Sequence, residues 1–124
     1  MIIVKTTVTD LEKILELQYL AYQSEAKLLN NYSIPPLKQT IEEVRQQYEK
    51  GIFLKAVEQK ENIIGSIRAT FDNNTAYVEK VIVHPNKQGQ GIGTKLLLAI
   101  EQECHAARYE LFTSNKSLSC FYDR

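Results

Sequence analysis

The sequence predicts one α/β domain of the α+β kind, in which helices flank a mixed, mainly antiparallel sheet. Its 124 residues are enough for a single hydrophobic core and too few for two domains. Apolar residues recur with the helical period before residue 51 and after residue 91, and with a period of two in between. These patterns predict the order β-α-α-β-β-β-α-β, followed by the beginning of another helix.

The N-terminal part is predicted to contain one strand and two helices. Residues 2–8 form the strand, and residues 9–12, Thr-Asp-Leu-Glu, have the form of a capping box that begins a helix. This helix carries apolar residues on or near one face: Leu11, Ile14, Leu15, Leu17 and Ala21. Pro35 and Pro36 interrupt the helical region, a second capping box at residues 40–43 begins the next helix, and Gly51 ends it.

The rest of the chain is predicted to contain four strands and a long helix. Residues 52–58, 63–71 and 76–83 alternate as strands do, and the polar segments 59–62 and 72–75 between them form turns, so the three strands make an antiparallel meander. An amphipathic helix follows, with Ile92, Leu96, Leu97, Ile100 and Cys104 on its apolar face. It leads to a short strand at 109–113, which can lie parallel to the strand before the helix, and a further helix begins at Asn115.

A glycine-rich segment lies between the meander and the long helix. Glycine at positions 89, 91 and 93 lets the backbone approach a ligand closely and adopt dihedral angles that a Cβ atom would forbid. The first amides of a helix have no partner within it, and the aligned peptide dipoles add about half a positive charge there. The segment therefore predicts a phosphate-binding loop, although such glycines can also serve only a tight turn.

Two common phosphate-binding motifs do not fit this segment. A P-loop requires Gly-Lys-Ser/Thr, but here Thr94 precedes Lys95. A dinucleotide-binding fold requires Gly-x-Gly-x-x-Gly early in the chain and an acid at the end of the next strand. Here the glycines alternate and occur late in the chain, and the next strand carries its one acid, Glu110, near its start and ends in Thr113 and Ser114.

The segment resembles the pyrophosphate loop of the GNAT superfamily of N-acetyltransferases, whose pattern is Arg/Gln-x-x-Gly-x-Gly/Ala after a hydrophobic strand. Gln88, Gly91 and Gly93 match it, and the order of elements is also that of the GNAT fold. The resemblance implies that residues 1–124 form one GNAT-like domain with acetyl-CoA as co-substrate. The cofactor-binding residues that it implies are Val81, Ile82, Val83, Gln88, Gly89, Gln90, Gly91, Ile92, Gly93, Thr94 and Asn115.

The resemblance also implies roles in catalysis. A backbone N–H of residues 81–83 would bind the developing oxyanion, and Tyr122, seven residues after Asn115, would protonate the departing thiolate. Glu79 is the best candidate for the base, because alternation places it beside the cleft on the same face as Tyr77 and Val81. Tyr122 could instead be a buried aromatic residue, and Glu79 a solvent-facing residue paired with a lysine.

The C-terminal segment departs from the family pattern. The family continues with Leu-Gly-Phe and a final strand at the point where this sequence stops, after Arg124. A fifth strand without that neighbour would have an unpaired edge, so we expect a homodimer in which a second copy covers it. The same departure leaves two alternatives open: a catalytically degenerate module that binds acyl-CoA or only dimerises, and a truncated form of a longer chain.

Composition and charge limit the other possibilities. Acidic and basic residues balance at fifteen each without long runs of either sign, so nucleic acid is not an expected partner. The apolar stretch at residues 1–4 is too short for the apolar core of a signal sequence and no segment approaches a membrane span, so we expect a cytoplasmic protein. Cys104 and Cys120 show no metal-ligand spacing with the two histidines, so no metal is expected. The acceptor is expected to be a small-molecule or peptide amine that contacts residues 22–37, where Tyr32 could form a wall.

Overall fold

The computed structural model describes residues 1–59, 62–72, 75–104 and 108–111. The chain forms, in order, β1 (Ile2–Lys5), α1 (Leu11–Leu29), α2 (Pro35–Lys38), α3 (Ile41–Lys50), β2 (Gly51–Glu58), β3 (Asn62–Asp72), β4 (Thr75–Val83), α4 (Ile92–Cys104) and β5 (Arg108–Leu111). Short 3-10 turns at Val8–Asp10 and Pro85–Lys87 precede α1 and follow β4. The predicted order of strands and main helices is confirmed up to β5. The predicted end of that strand and the helix after it lie outside the described residues.

The five strands form one sheet in the order β1-β2-β3-β4-β5. Neighbouring strands from β1 to β4 are antiparallel, as the meander predicted, and β4 pairs with β5 in parallel. A parallel pair requires a crossover connection, which α4 provides. The α+β fold class is therefore confirmed. In the described part of the sheet β5 lies at the edge, and the homodimer expected there stays a prediction.

The helices cover both faces of the sheet. On one, the α4 face, Leu96, Leu97 and Ile100 pack against apolar residues of the central strands, including Ile67 and Val78. On the other, the α1 face, Leu11 and Leu15 of α1 and Val44 of α3 form an apolar cluster with Phe53 of β2. The chemistry described below depends on which of these two faces each residue of β3 and β4 occupies.

The two predicted capping boxes had different outcomes. The box at residues 40–43 is confirmed, because Glu43 N–H donates to Thr40 Oγ1 at 3.3 Å and Thr40 N–H donates to the Glu43 carboxylate at 3.0 Å. The box at residues 9–12 is wrong. β1 ends at Lys5 rather than residue 8, and Thr7 N–H donates to Asp10 Oδ2 at 2.9 Å.

Asp10 also accepts a hydrogen bond from Lys55 of β2 at 2.8 Å. This bond to a distant strand explains why Asp10, and not Glu12, is the acid at the start of the helix. Burial alone would raise the pKa of Asp10, but the hydrogen bonds from Lys55 and Thr7 outweigh burial and lower it.

The prolines do more than interrupt the helical region. Pro35 and Pro36 occupy the first positions of α2, a single turn that was not predicted from the sequence. Proline suits a first helical turn because its fixed φ is helical and its missing N–H would have no partner there. The turn brings the backbone of Pro36 close to α1, where its carbonyl accepts from Gln18 Nε2 at 2.8 Å.

Candidate functional site

The glycine-rich loop joins the end of β4 to the start of α4. Gly89 and Gly91 have φ values of +80° and +79°, in the left-handed region that glycine occupies at little cost. Gly93 has no such angle, and a Cβ atom added to it would lie 3.7 Å from the nearest side-chain atom, an ordinary contact. The conformational reason given for the glycines is therefore confirmed at positions 89 and 91 and is absent at 93.

The start of α4 presents free backbone donors beside this loop. The first hydrogen bond of the helix runs from Lys95 N–H to Gly91 C=O at 3.1 Å. The amides of Ile92, Gly93 and Thr94 come before it and therefore have no acceptor within the helix. Among the described residues, no turn or loop hydrogen bond between backbone groups is donated by residues 88–94. Together with the helix dipole, these amides can bind an anion such as a phosphate group.

Short-range contacts hold the loop against the end of β4. Gln88 Nε2 donates to the Val83 carbonyl at 3.3 Å, and His84 N–H donates to the Ile64 carbonyl of β3 at 2.8 Å. The His84 ring nitrogen Nδ1 in turn accepts from Asn86 N–H at 3.0 Å, which begins the 3-10 turn. Gln88, predicted as a cofactor-binding residue, thus contributes in this structure to the shape of the loop.

A β-bulge in β4 changes the face on which Glu79 lies. Arg68 pairs with Lys80 and Ala69 with Val78, which leaves Glu79 as the extra residue. Beyond the bulge, Val81 packs with the apolar cluster on the α4 face. The prediction that Glu79 and Val81 share a face is therefore wrong, because an extra residue reverses the alternation after it.

Glu79 faces α1 and α3 instead. Its Oε1 accepts a hydrogen bond from Thr70 Oγ1 at 3.3 Å, and Thr70 pairs directly with Tyr77, so Tyr77 and Glu79 do share a face as predicted. The second carboxylate oxygen, Oε2, is buried and has no hydrogen-bond partner among the described residues.

Two basic residues beside Glu79 were not identified as site residues from the sequence. Arg68 of β3 is 1% exposed, and its cross-strand partner Lys80 is half-buried. Burial lowers the pKa of Lys80, and the positive charge of Arg68 lowers it further, against the opposite effects of Glu79 and Glu43. One signal was available in the sequence: Arg68 is the one charged residue in the stretch 63–71.

A groove separates α1 from the segment that leads into α2. Its volume is about 510 Å³, and its lining residues are Tyr19, Gln23, Ser24, Lys27, Tyr32 and Leu37. Tyr32 forms part of the wall, as expected for the acceptor region, whereas Tyr22 does not line the groove. Burial and the charge of Glu25 raise the pKa of Tyr22 against the opposite effect of Arg68.

The structure brings some of the predicted site residues together and leaves two undescribed. The end of β4 contains Val81, Ile82 and Val83, and the chain continues from there through the 3-10 turn into the loop of residues 88–94. One continuous segment therefore contains all of the cofactor-binding residues predicted before residue 95. Asn115 and Tyr122, the remaining predicted residues, lie outside the described part of the chain.

The described residues also bear on metals and membranes. Within them, no group of three or more His, Cys, Asp or Glu side chains could hold a metal ion. No described helix has the length and apolar character that a membrane-spanning segment needs.

The fold and the loop geometry define an α+β protein with a glycine-rich loop at the junction of β4 and α4. The sequence pattern of the acetyltransferase (GNAT) family matches residues 11–122, and the chain therefore belongs to this family. No curated protein matches the sequence significantly.

Many solved structures are similar to this one. PaiA N-acetyltransferase from Thermoplasma acidophilum, in complex with coenzyme A, is 22% identical at a TM-score of 0.69, and the match covers 98% of this chain and 85% of that one. A GNAT-family acetyltransferase from Staphylococcus aureus is 24% identical at a TM-score of 0.72, covering 98% and 78%. The ribosomal-protein-S18-alanine N-acetyltransferase from Escherichia coli is 18% identical at a TM-score of 0.73, covering 98% and 73%. At these identities the structural likeness shows the shared fold.

Proposed function

We propose that this chain is an N-acetyltransferase that moves an acetyl group from acetyl-CoA to the primary amine of an acceptor by direct attack within a ternary complex. The observation that carries the proposal is the loop before α4. Gly89 and Gly91 have positive φ angles there, and the backbone amides that follow, at the start of α4, have no backbone acceptor among the described residues. Membership of the acetyltransferase family supports the reaction. The coenzyme A complex of the similar Thermoplasma protein supports the coenzyme.

In this proposal, residues 88–94 bind the pyrophosphate of the coenzyme. Two adjacent phosphate groups need several donors at short range, and backbone amides supply them without side chains that would fill the loop. A Cβ atom built on Gly89 or Gly91 meets no atom within 4 Å, so the space above the loop is open to a ligand. Asn115 is proposed to contact the pantetheine or the adenosine end.

The chemical step needs a neutral amine, a stabilised oxyanion and a proton for the leaving thiolate. We assign the oxyanion to a backbone N–H of residues 81–83 and the proton to Tyr122, because a phenol with an ordinary pKa of about 10 is protonated at neutral pH. Glu79 is assigned as the base, directly or through a water molecule. Since the bulge places Glu79 on the α1 face, the acceptor amine is proposed to approach from that face.

The acceptor is proposed to lie beside α1 and the segment that follows it. The groove lined by Tyr19 and Tyr32 supports this placement, because it is open and of a volume suited to a small molecule or a peptide end. Lys27 is the charged residue among its lining residues.

Calorimetry with acetyl-CoA, followed by thiol release against a panel of amines, tests the proposal. Micromolar binding with thiol release supports an acetyltransferase, binding without release supports the degenerate acyl-CoA-binding module instead, and absence of binding refutes the coenzyme assignment. Glu79→Gln and Tyr122→Phe are expected to bind acetyl-CoA as the wild type does and to reduce turnover by a factor of about 10² or more. Unchanged turnover in either variant would remove that residue from the mechanism.

A further inference from the structure

Arg68 carries a positive charge in the interior of the protein. Its side chain is 1% exposed and points to the α1 face, where it donates to three glutamine side chains. The distances are 2.9 Å from Nη2 to Gln18 Oε1, 2.7 Å from Nη1 to Gln47 Oε1 and 3.3 Å from Nη1 to Gln39 Oε1. The guanidinium also lies over the ring of Phe53, 4.7 Å from its centroid.

These contacts fix the guanidinium from four directions. Gln18 belongs to α1, Gln39 to the segment before α3, Gln47 to α3 and Phe53 to β2. A planar group restrained in this way has little freedom to rotate or shift, because each displacement would break a hydrogen bond in a buried site. Arg68 is therefore a charge with a well-defined position.

The charge has no ion-pair partner among the described residues, where no carboxylate oxygen lies within 4.0 Å of the guanidinium. Burial lowers the pKa of Arg68 to about 10, and the charge of Glu79 is the main effect that opposes this. A buried cation held only by neutral groups is costly, so a nearby negative charge is stabilised by it.

Glu79 is the group in the cluster that can use this charge. Its Oε2 is buried without a hydrogen-bond partner among the described residues, and the Nε of Arg68 is likewise buried and unpartnered. Glu79 thus retains an unused hydrogen-bond acceptor, and Arg68 retains an unused donor. The bulge keeps them near each other, because Arg68 pairs with Lys80, the residue next to Glu79.

We propose that Arg68 is a positioning residue that holds the carboxylate of Glu79 on the α1 face of the β4 bulge. The proposal rests on the proposed function, in which Glu79 takes a proton from the acceptor amine. A base works only within hydrogen-bond reach of that proton, and a displacement of about 1 Å can reduce the rate by a factor of about 10². The four anchors of Arg68 give Glu79 a fixed electrostatic partner at the bulge of β4.

Kinetics of single and double variants test the positioning role. Arg68→Gln is expected to reduce kcat by a factor of about 10², with the affinity for acetyl-CoA unchanged and Arg68→Lys recovering part of the rate. In a Glu79→Gln background the same substitution should reduce kcat by no more than about threefold, because the group that it positions is already absent. Equal losses in both backgrounds would show that Arg68 only supports the fold and would overturn the proposal.

Unfolding measurements on the same variants test the electrostatic interaction without relying on activity. The effects of Arg68→Gln and Glu79→Gln on the unfolding equilibrium constant are expected to depart from additivity by at least about threefold, and additive effects would refute the interaction. If the wild type transfers no acetyl group, the proposed function and the catalytic role fail together, while this second cycle still decides whether Arg68 and Glu79 interact.

Two further variants distinguish a positioning role of Arg68 from an effect on folding. Gln47→Leu removes the shortest hydrogen bond to Arg68 but keeps the charge, and it is expected to lower kcat in the wild-type background and not in the Glu79→Gln background. Arg45→Gln is the matched control, since Arg45 lies on the same helix as Gln47 but forms an exposed ion pair with Glu42. It should leave kcat and unfolding unchanged.

Discussion

Replacing Gly91 with valine would test whether the backbone conformation of the loop, rather than the space around it, makes coenzyme binding possible. The φ angle of Gly91 is +79°, and a Cβ atom added there would have no heavy atom within 4 Å. The added Cβ atom therefore contributes no steric cost. The left-handed conformation itself costs an L-residue about 1–2 kcal/mol, and a β-branched residue is especially strained there.

Valine at this position leaves the loop two options. If the loop keeps its conformation, the strain appears as a loss of stability, with a decrease in Tm of roughly 4–8 °C for a domain of this size. If the loop relaxes to a negative φ, the amides that begin α4 are no longer aimed at the same point, and the anion site is lost. Either result follows from the same φ angle.

Thermal melting with and without acetyl-CoA measures both effects. At 100 times its Kd, the ligand stabilises the wild type by about 2.7 kcal/mol, and at that concentration a tenfold loss of affinity reduces the stabilisation to about 1.4 kcal/mol. We expect the valine variant to melt at a lower temperature, to show little ligand-induced shift, or both. An unchanged Tm together with an unchanged shift would refute the reasoning.

Gly93→Ala is the matched control for this experiment. Gly93 lies in the same loop-to-helix segment, but its φ is not left-handed and an added Cβ would contact Val81 and Val83 at ordinary distances of 3.7 and 3.8 Å. Alanine is also a better helix former than glycine. The control should therefore melt at or slightly above the wild-type temperature.

Three further substitutions test the fold, each by urea-induced unfolding. Leu96→Ala should lower the free energy of unfolding by about 2–5 kcal/mol, because the side chain is fully buried under the sheet, whereas Leu98→Ala on the exposed side of the same helix should change it by less than about 0.5 kcal/mol. Gly51→Ala should cost about 1–3 kcal/mol, since its Cβ would lie 2.0 Å from the Ala69 carbonyl oxygen; wild-type stability would refute that contact. Asp10→Asn should cost about 1.5–3 kcal/mol at pH 7 through its charge-assisted hydrogen bonds. Because the folded-state pKa of Asp10 is lowered, its contribution is present above the ordinary value of 3.8 and lost as the pH falls through the folded-state value, so the difference from wild type should disappear in acid; a constant difference would contradict this.

The sequence predicted the elements of the fold well, and its errors have physical causes. The strands β2, β3 and β4 each lie within one residue of their predicted bounds at either end. The start of α1 was wrong because two Thr-x-x-acid patterns overlap there, and the bond from Lys55 to Asp10 favours the first of them. That bond joins residues 45 positions apart, so local sequence patterns could not have revealed it.

The candidate site was predicted in part for the same reason. The loop of residues 88–94 has a local signature, and the positive φ angles at Gly89 and Gly91 agree with it. The face occupied by Glu79 could not be predicted, because it depends on a bulge that appears only when β4 pairs with β3. Asn115 and Tyr122 stay predictions, since they lie outside the described residues.

The sequence by itself determined the order of elements, the mixed sheet and the glycine loop, because periodicity and backbone freedom are properties of short segments. Only the tertiary structure decided that Arg68 is buried among three glutamines from distant parts of the chain and that Glu79 lies on the same face of the sheet. Whether a charged side chain is solvated, paired or buried depends on strand register and on partners far away in sequence. The loop could therefore be predicted from its residues, whereas the charged cluster beside it required the folded chain.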